Sequence, residues 1–219
     1  MQNAVTQPCV LCGARARGRL LCPACAGDLP LLPAERCPRC ALPSLDGLLC
    51  GACLKKPPRF ERCEAVYRYA FPLDALIQHC KYGGAQELAD LFAEALARRL
   101  ADRPLPDLIV PMPLHPARLR ERGFNQALEI ARRLGNHLNI PCRHACRRQR
   151  DTPPQAGLDL KERQRNLRGA FVCDEDMKGK RIALLDDVMT SGGSLNELAK
   201  AARRAGALEI DAWVVARTL

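Results

Sequence analysis

The chain has 219 residues, 47% of them hydrophobic, which is enough apolar material for a folded core and excludes an intrinsically disordered chain. No apolar run is long enough to span a membrane, and the first residues lack the apolar segment of a signal peptide. The sequence therefore predicts a cytoplasmic protein without a membrane span. Aromatic residues are only 4%, so aliphatic side chains must build the core.

The net charge is +10, and most of the excess lies in one segment. Between His115 and Arg168 there are thirteen Lys or Arg residues and five Asp or Glu residues. This excess fits a polyanionic partner, such as phosphate or nucleic acid, and it fits equally a solvated basic surface. Composition alone leaves both interpretations open.

Eight of the thirteen cysteines form four CxxC pairs near the N-terminus. In a cytosolic chain, regular cysteine pairs indicate a metal site rather than disulfides. Residues 9–25 repeat 28 residues further on as residues 37–53, and each half has the spacing of a four-thiolate structural zinc site. The predicted ligands of the two zinc ions are Cys9, Cys12, Cys22, Cys25, Cys37, Cys40, Cys50 and Cys53.

The repeat favours sequential pairing, with the first four cysteines at one ion and the last four at the other. An interleaved arrangement, in which pairs one and three share an ion, stays open. The segment has few large apolar residues, so we expect zinc to supply its folding energy. The remaining cysteines are interpreted as small buried residues. A linker is predicted over 54–62, which divides the chain into a double zinc-ribbon domain, 1–58, and a second domain, 59–219.

The second domain alternates between strand and helix patterns. Strands are predicted over 65–70, 108–112, 180–186 and 208–218. Helices are predicted over 72–84, 86–102, 124–138 and 194–207. This alternation indicates an α/β fold with a mainly parallel sheet, in which ligands bind at the carboxyl ends of the strands.

One stretch of this domain, IALLDDVMTSGGS over 182–194, combines a buried strand with acids and small residues. Asp186 and Asp187 are expected at the strand's carboxyl end. The loop that follows offers N–H groups, hydroxyls, glycines and a helix N-terminus, which together suit a phosphate. Carboxylates repel phosphate, so the pair should face hydroxyls, directly or through a divalent ion. The implied ligand is a ribose 5-phosphate. The loop residues are Met189, Thr190, Ser191, Gly192, Gly193 and Ser194.

Four apolar residues, two acids and TSGGS resemble the signature of type I phosphoribosyltransferases. These enzymes bind phosphoribosyl pyrophosphate, with Mg²⁺. The resemblance implies that Asp186 and Asp187 hold the ribose hydroxyls and that residues 189–194 hold the 5′-phosphate. It also implies a phosphoribosyltransferase-like sheet with helices on both faces.

A second resemblance covers nearly the whole chain. Residues 110–134, VPMPLHPARLRERGFNQALEIARRL, resemble the ComF family, whose members are also called GntX-like proteins. So do KYGG (81–84), QAGLDLKERQRNLRGAF (155–171) and the cysteine-rich N-terminus. The family implies a cytosolic bacterial protein of natural transformation that handles incoming single-stranded DNA. Its members have a phosphoribosyltransferase-like domain after a zinc finger.

The resemblance assigns roles to basic residues. Arg118, Arg120 and Arg122 are expected in a loop after the strand 108–112, at alternating positions, where they would meet pyrophosphate or DNA. Lys81 is a further candidate ligand residue, and Asn125 and Gln126 could orient a ligand. A mobile loop is expected to carry the other DNA-binding candidates, Lys161, Arg163, Arg165 and Arg168.

These features favour a protein that binds single-stranded DNA and a ribose phosphate such as phosphoribosyl pyrophosphate. Base stacking would rest on few aromatic residues, such as Tyr82, Phe124 or Phe171. One alternative is an active phosphoribosyltransferase that transfers ribose 5-phosphate to an unidentified nucleophile, although no base-specificity pocket is recognisable. Another is an adaptor whose zinc ribbons dock a DNA-uptake helicase or a recombination mediator.

Overall fold

The computed structural model describes residues 7–16, 18–82, 87–150, 167–174 and 176–219. The strands are β1 (Arg62–Arg68), β2 (Leu108–Pro111), β3 (Cys146–Arg148), β4 (Phe171–Cys173), β5 (Arg181–Met189) and β6 (Glu209–Arg217). The helices are α1 (Pro23–Gly27), α2 (Gly51–Lys55), α3 (Leu73–Tyr82), α4 (Leu88–Leu100), α5 (Pro116–Arg122), α6 (Gln126–Leu138) and α7 (Gly193–Arg204), with a 3-10 turn over Leu45–Gly47. None of the helices in these ranges has the length and apolar character needed to cross a membrane.

The cysteine-rich part repeats one small unit, in which a cysteine turn leads through a loop to a short helix. The hydrogen bonds of the two copies match. The Cys9 N–H donates to the Ala14 carbonyl at 2.7 Å, and the Cys37 N–H donates to the Leu42 carbonyl at 2.8 Å. Cys22 and Cys50 precede α1 and α2 at equivalent positions. The internal duplication predicted from the sequence is therefore a duplication of structure.

The main sheet has the strand order β1-β6-β5-β2, and all neighbouring strands are parallel. Helices α4 and α6 pack together against it, whereas α7 packs against β5 and β6 beside the short strand β4. Because helices cover both faces, β5 and β6 are nearly continuous buried apolar runs. The predicted fold class, a mainly parallel α/β sheet with helices on both faces after a small cysteine-rich part, is confirmed.

The short antiparallel pair β3–β4 was not predicted. Cys146 lies opposite Cys173 in this pair, and the two form a disulfide. The sequence interpretation of both as small buried residues did not include this bond; Cys146 is buried, and Cys173 is half-buried. The two cysteines are 27 residues apart and have no regular spacing, so only the folded chain brings them together.

The predicted linker over 54–62 packs better than its composition indicates. Phe60 is only 1% exposed. The Arg59 N–H donates to the Asn196 side chain at 2.8 Å, and the Glu61 carboxylate accepts from the Ile210 N–H at 2.7 Å. The end of this segment thus belongs to the packing of α7 and β6. The division into domains 1–58 and 59–219 stays a prediction.

Strand β5 is longer than its neighbour β2, and this difference positions the site. β2 ends at Pro111, which lies opposite Leu185, while β5 continues beside β6 as far as Met189. Asp186 and Asp187 therefore lie within the strand rather than after it, because pairing with β6 extends β5 past the acids. On the β2 side the strand pairing has already ended, and a small crevice lies between Asp186 and the residues that follow β5.

The cysteine-rich part covers the outer edge of β1. The Leu32 N–H donates to the Val66 carbonyl at 3.0 Å, and the Cys63 N–H donates to the Pro38 carbonyl at 2.9 Å. Buried residues of both parts also form one continuous apolar cluster. An edge strand that is paired in this way offers fewer free backbone groups to other chains.

Candidate functional site

The acid pair is held by contacts from three elements. Asp187 is 5% exposed, and its Oδ2 lies 2.8 Å from the Nζ of Lys81, at the end of α3. Gln126, the first residue of α6, donates its side-chain N–H to the same oxygen at 3.3 Å. The Val188 N–H donates to Asp187 Oδ1 at 2.7 Å. Both carboxylate oxygens of Asp187 therefore have protein partners, which hold the side chain in place.

Asp186 has a different environment. Its Oδ1 accepts the Asp187 N–H at 2.9 Å, and no Lys or Arg of the described residues forms an ion pair with it. Burial, and then the charge of Asp187, raise the pKa of Asp186 to about 8, although Lys81 opposes the shift. Burial also opposes the charge of Lys81, but the Asp187 carboxylate outweighs it and raises the pKa of Lys81. Asp186 is thus the carboxyl group that gains most from a hydroxyl donor or a divalent ion.

The small-residue loop follows directly from β5. Gly192 precedes α7 in the left-handed conformation (φ +76°), which favours glycine, and Gly193 is the first helical residue. Thr190 and Ser191 are exposed, while the Met189 side chain is buried. A small cavity of about 30 Å³ lies between this loop and Asp186. The loop has room for the oxygens of an anion, and the N-terminus of α7 adds partial positive charge.

The residues that lead out of the predicted mobile loop lie beside this cavity. A Leu167 methyl group would lie 3.3 Å from a Cβ atom at Gly193, and the Gly169 N–H donates to the Glu197 carboxylate at 3.2 Å. Arg168, between them, is exposed. Residues 167–169 therefore lie next to the first turn of α7.

The three arginines of the 118–122 stretch lie on a helix, not in a loop as expected. His115 caps the first turn of α5, Pro116 begins it and Gly123 ends it in the left-handed conformation. On a helix, residues two apart point to different faces, whereas residues four apart share one. Arg120 is exposed, while Arg118 and Arg122 are half-buried. The three side chains thus do not converge on one ligand.

Arg122 contacts two residues that lie next to the acid pair, Gln126 and Tyr82. Its guanidinium donates to Gln126 Oε1 at 3.2 Å and to the Tyr82 hydroxyl at 3.1 Å, and it lies 5.0 Å from the centre of the Tyr82 ring. Gln126 in turn contacts Asp187, and Tyr82 follows Lys81. Asn125 has a structural role, because its side chain caps α6 and donates to the Met112 carbonyl. Arg122 therefore supports two neighbours of the acid pair, while Lys81 is the basic residue that contacts Asp187 directly.

Two clusters of four cysteines form in the cysteine-rich part. Within each cluster the four sulfur atoms lie within 4.8 Å of one another. Cys12 and Cys22 have sulfur atoms 3.7 Å apart, and those of Cys40 and Cys50 are 3.6 Å apart. Tetrahedral zinc with bonds of about 2.3 Å requires a sulfur separation of about 3.8 Å. The clusters fit two structural zinc ions, and the sequential pairing favoured by the repeat is confirmed. The clusters comprise Cys9, Cys12, Cys22 and Cys25, and Cys37, Cys40, Cys50 and Cys53.

The thiols within each cluster differ in acidity when no metal is bound. Burial alone would raise the pKa of Cys9, but backbone hydrogen bonds lower it to about 6. Backbone hydrogen bonds likewise outweigh burial at Cys37 and lower its pKa to about 7. Burial and the neighbouring thiols raise the pKa of Cys53. Four thiolates at this spacing repel one another, so a dication is needed to hold all four deprotonated.

Comparisons with known proteins agree with these observations. A family model described as a double zinc ribbon domain matches residues 5–54. The DNA utilization protein YhgH of Escherichia coli O6:H1 is 37% identical over 193 residues, which cover 84% of each chain. Competence protein F of Haemophilus influenzae is 37% identical over 178 residues, which cover 77% of this chain and 78% of that protein. The chain belongs to the family of YhgH and competence protein F. The resemblance to the ComF family is thereby confirmed.

Among solved structures, a purine phosphoribosyltransferase from Pyrococcus horikoshii is similar to the chain. The TM-score is 0.38 at 21% identity, and the match covers 59% of this chain and 82% of that chain.

Several residues to which the sequence assigned a role lie outside the described residues. They are Lys161, Arg163 and Arg165 of the predicted mobile loop, and the two glycines of KYGG. One residue at the site was missed by sequence reasoning: Arg217, at the end of β6, is 6% exposed and contacts the start of the small-residue loop. The sequence does contain a signal for Arg217, since it is a single charged residue directly after the apolar run AWVVA.

Zinc content tests the two clusters. Replacing Cys37 by serine is expected to lower the bound zinc from about two ions to about one per chain, because a four-thiolate site loses a ligand. Elemental analysis of the purified protein measures the ratio. Cys142→Ala, at a half-buried cysteine outside both clusters, is the control and should retain both ions. Two ions bound to Cys37→Ser would contradict the assignment.

The Lys81–Asp187 pair can be tested by denaturant unfolding. Lys81→Met should lower the free energy of unfolding by about 3 kcal/mol, because it leaves a buried carboxylate without its partner. Adding Asp187→Asn should recover part of this loss, which a double-mutant cycle detects. Arg98→Met, at an exposed pair with Glu94, should change stability by only about 0.5 kcal/mol. Equal effects of Lys81→Met and Arg98→Met would show that the buried pair is not formed.

Proposed function

We propose that the chain acts in DNA uptake in the cytoplasm, where it binds single-stranded DNA and a ribose phosphate such as phosphoribosyl pyrophosphate. The observation that carries the proposal is the small cavity between Asp186 and the hydroxyl-glycine loop, at the part of β5 that extends past β2. The names of the relatives, DNA utilization protein and competence protein F, support the DNA role. A DNA-uptake helicase or recombination mediator stays an expected partner.

The ribose phosphate is proposed to span the acids and the loop. Backbone N–H groups and hydroxyls of Thr190, Ser191 and Ser194 would contact the 5′-phosphate, where the N-terminus of α7 favours negative charge. Asp186 would accept from the ribose hydroxyls. Carboxylate oxygens also suit Mg²⁺, so Asp186 is the residue that would hold the ion, which neutralises pyrophosphate charge when bound. Asp187, already paired with Lys81, would keep the ligand-facing carboxyl in position.

The cavity at the loop supports the binding of a phosphate group. Its space is about 30 Å³, which phosphate oxygens fit and which is far below the roughly 300–1,000 Å³ of a typical small-molecule site. No nucleobase site is assigned. We therefore treat the ribose phosphate as a ligand or regulator of the DNA-handling function, and catalytic residues are not assigned.

Single-stranded DNA is proposed to bind mainly through charge. Arg120 is exposed on α5, which follows the edge strand β2, and Arg168 is exposed beside α7. Few bases can stack on aromatic side chains, since Phe171 is 4% exposed and unavailable. Tyr82 is 67% exposed, next to Arg122, and can stack. Contacts between arginine and the DNA backbone give binding without sequence preference that weakens steeply with salt.

A thermal-shift screen tests the ribose phosphate. Phosphoribosyl pyrophosphate with Mg²⁺, at about 100 times its dissociation constant, should add about 2.7 kcal/mol to the free energy of unfolding. Asp186→Asn should abolish this increment, because the amide cannot supply the carboxylate charge. Asp102→Asn, at an exposed carboxylate away from the crevice, should retain it.

The same mixtures of protein, Mg²⁺ and phosphoribosyl pyrophosphate distinguish ligand binding from catalysis. An unshifted wild-type protein would remove the ribose-phosphate proposal. Release of pyrophosphate on adding nucleobases, if abolished by Asp186→Asn, would instead indicate an active phosphoribosyltransferase.

The affinity for a fluorescent oligothymidine across a salt series tests the DNA proposal. The logarithm of the association constant should fall linearly with the logarithm of salt, by about 0.7 per neutralised phosphate. Arg120→Glu should weaken binding several-fold at low salt, since it reverses an exposed charge on α5. Arg204→Glu, which makes the same charge change at the far end of α7, is the matched control and should have a smaller effect.

Two results would contradict the assignment of the DNA surface. Binding that is independent of salt would rule out a mainly electrostatic contact. Equal losses in Arg120→Glu and Arg204→Glu would show that overall charge, rather than the α5 surface, determines the affinity.

A further inference from the structure

Arg217 connects the second cysteine cluster to the small-residue loop. Its Nε donates to the carbonyl of Cys40 at 3.0 Å, and its Nη1 donates to the carbonyl of Met189 at 3.0 Å. The same Nη1 contacts the carbonyls of Thr190 and Thr218. The residue is 6% exposed, so these bonds form away from water. One buried side chain therefore contacts a zinc-binding turn and the first residues of the loop at the same time.

The contacts of Arg217 with the described residues contain carbonyl groups and no carboxylate. A buried guanidinium is costly unless a negative charge lies nearby. The second cluster meets this need, because zinc with four thiolates has a net negative charge, and Cys40 belongs to that cluster. Zinc bound to these four thiolates would supply a counter-charge close to Arg217. The first cluster has no equivalent contact with the loop among the described residues.

The bonds to Met189 and Thr190 determine which way the loop's N–H groups point. A trans peptide holds its C=O and the following N–H in opposite directions. When Arg217 binds the Met189 and Thr190 carbonyls, the N–H groups of Thr190 and Ser191 point away from the guanidinium. Thr190 and Ser191 both line the small cavity beside Asp186. The contacts of Arg217 therefore fix the orientation of two peptide groups at the start of the loop, whose N–H groups would serve as donors to a phosphate.

We propose that Arg217 is a positioning residue that couples the second zinc centre to the phosphate loop. Zinc at Cys37, Cys40, Cys50 and Cys53 sets the affinity of the loop for the phosphate group, whereas zinc in the first centre does not. The inference rests on the proposed binding of a ribose phosphate. Coupling between two sites is reciprocal, so the ligand must in turn tighten zinc binding in the second centre.

Zinc release to a chromogenic chelator tests this reciprocity in the full chain. Phosphoribosyl pyrophosphate with Mg²⁺ should slow the release of one zinc ion at least about fivefold and leave the other unchanged. Cys22→Ser disables the first centre and should keep the slowed ion. Cys50→Ser, the equivalent change in the second centre, should lose it and also weaken ligand binding, measured by calorimetry.

Arg217 variants assign the effect to this side chain. Arg217→Met keeps the apolar stem without donors and should remove the protection of zinc and lower ligand affinity at least about fivefold. Arg217→Lys keeps the charge with fewer donors and should retain part of both. Arg62→Met, at a partly exposed arginine on β1, is the control and should change neither.

The outcomes separate the inference from the proposed function. A wild-type protein that binds the ligand without slowing the release of either zinc ion would overturn the coupling, and that measurement needs no variant. Protection that persists in Arg217→Met would overturn the role of Arg217. A wild-type protein that binds no ribose phosphate would overturn the proposed function itself.

Discussion

The difference in length between β2 and β5 is the constraint on which the candidate site depends. A parallel sheet normally covers both edges of an inner strand, which leaves no room for a ligand beside it. Here β2 stops at Pro111, and β5 continues with β6 on one side only. The unpaired edge falls at Asp186 and Asp187, so two charged residues can occupy a strand that is otherwise buried. The crevice, the acids and the loop all follow from that mismatch.

The two acids of the candidate site have different partners. Lys81 compensates Asp187, and Gln126 and Arg122 extend the contacts outward to Tyr82. Burial, and then the charge of Asp187, keep the pKa of Asp186 raised, because Lys81 forms its ion pair with Asp187 and opposes the shift only in part. This asymmetry gives two adjacent carboxyl groups different roles, one structural and one available to a ligand. Although the chain has a net charge of +10, the basic residue at the acids, Lys81, forms its ion pair with Asp187 rather than with Asp186.

Local patterns predicted the elements and the acid-loop motif, because burial periodicity and glycine chemistry are encoded over a few residues. Sequential zinc pairing was favoured because each half of the repeat contains a complete ligand set. The helix α5 was missed although Pro116 and Gly123 mark its ends. The Cys146–Cys173 disulfide and the contacts of Arg217 could not be predicted, since they join residues from distant parts of the chain.

The cysteine-rich part has a place in this arrangement that stability alone does not explain. Its backbone covers the edge of β1, so it completes the sheet on the side opposite β2. Arg217 lies at the end of β6, between that covered edge and the strand with the acids. Zinc would make the second cysteine turn rigid, and the contacts of Arg217 with that turn would then restrain the loop. A loop anchored in this way loses less conformational entropy when a phosphate binds, because its donors are already oriented.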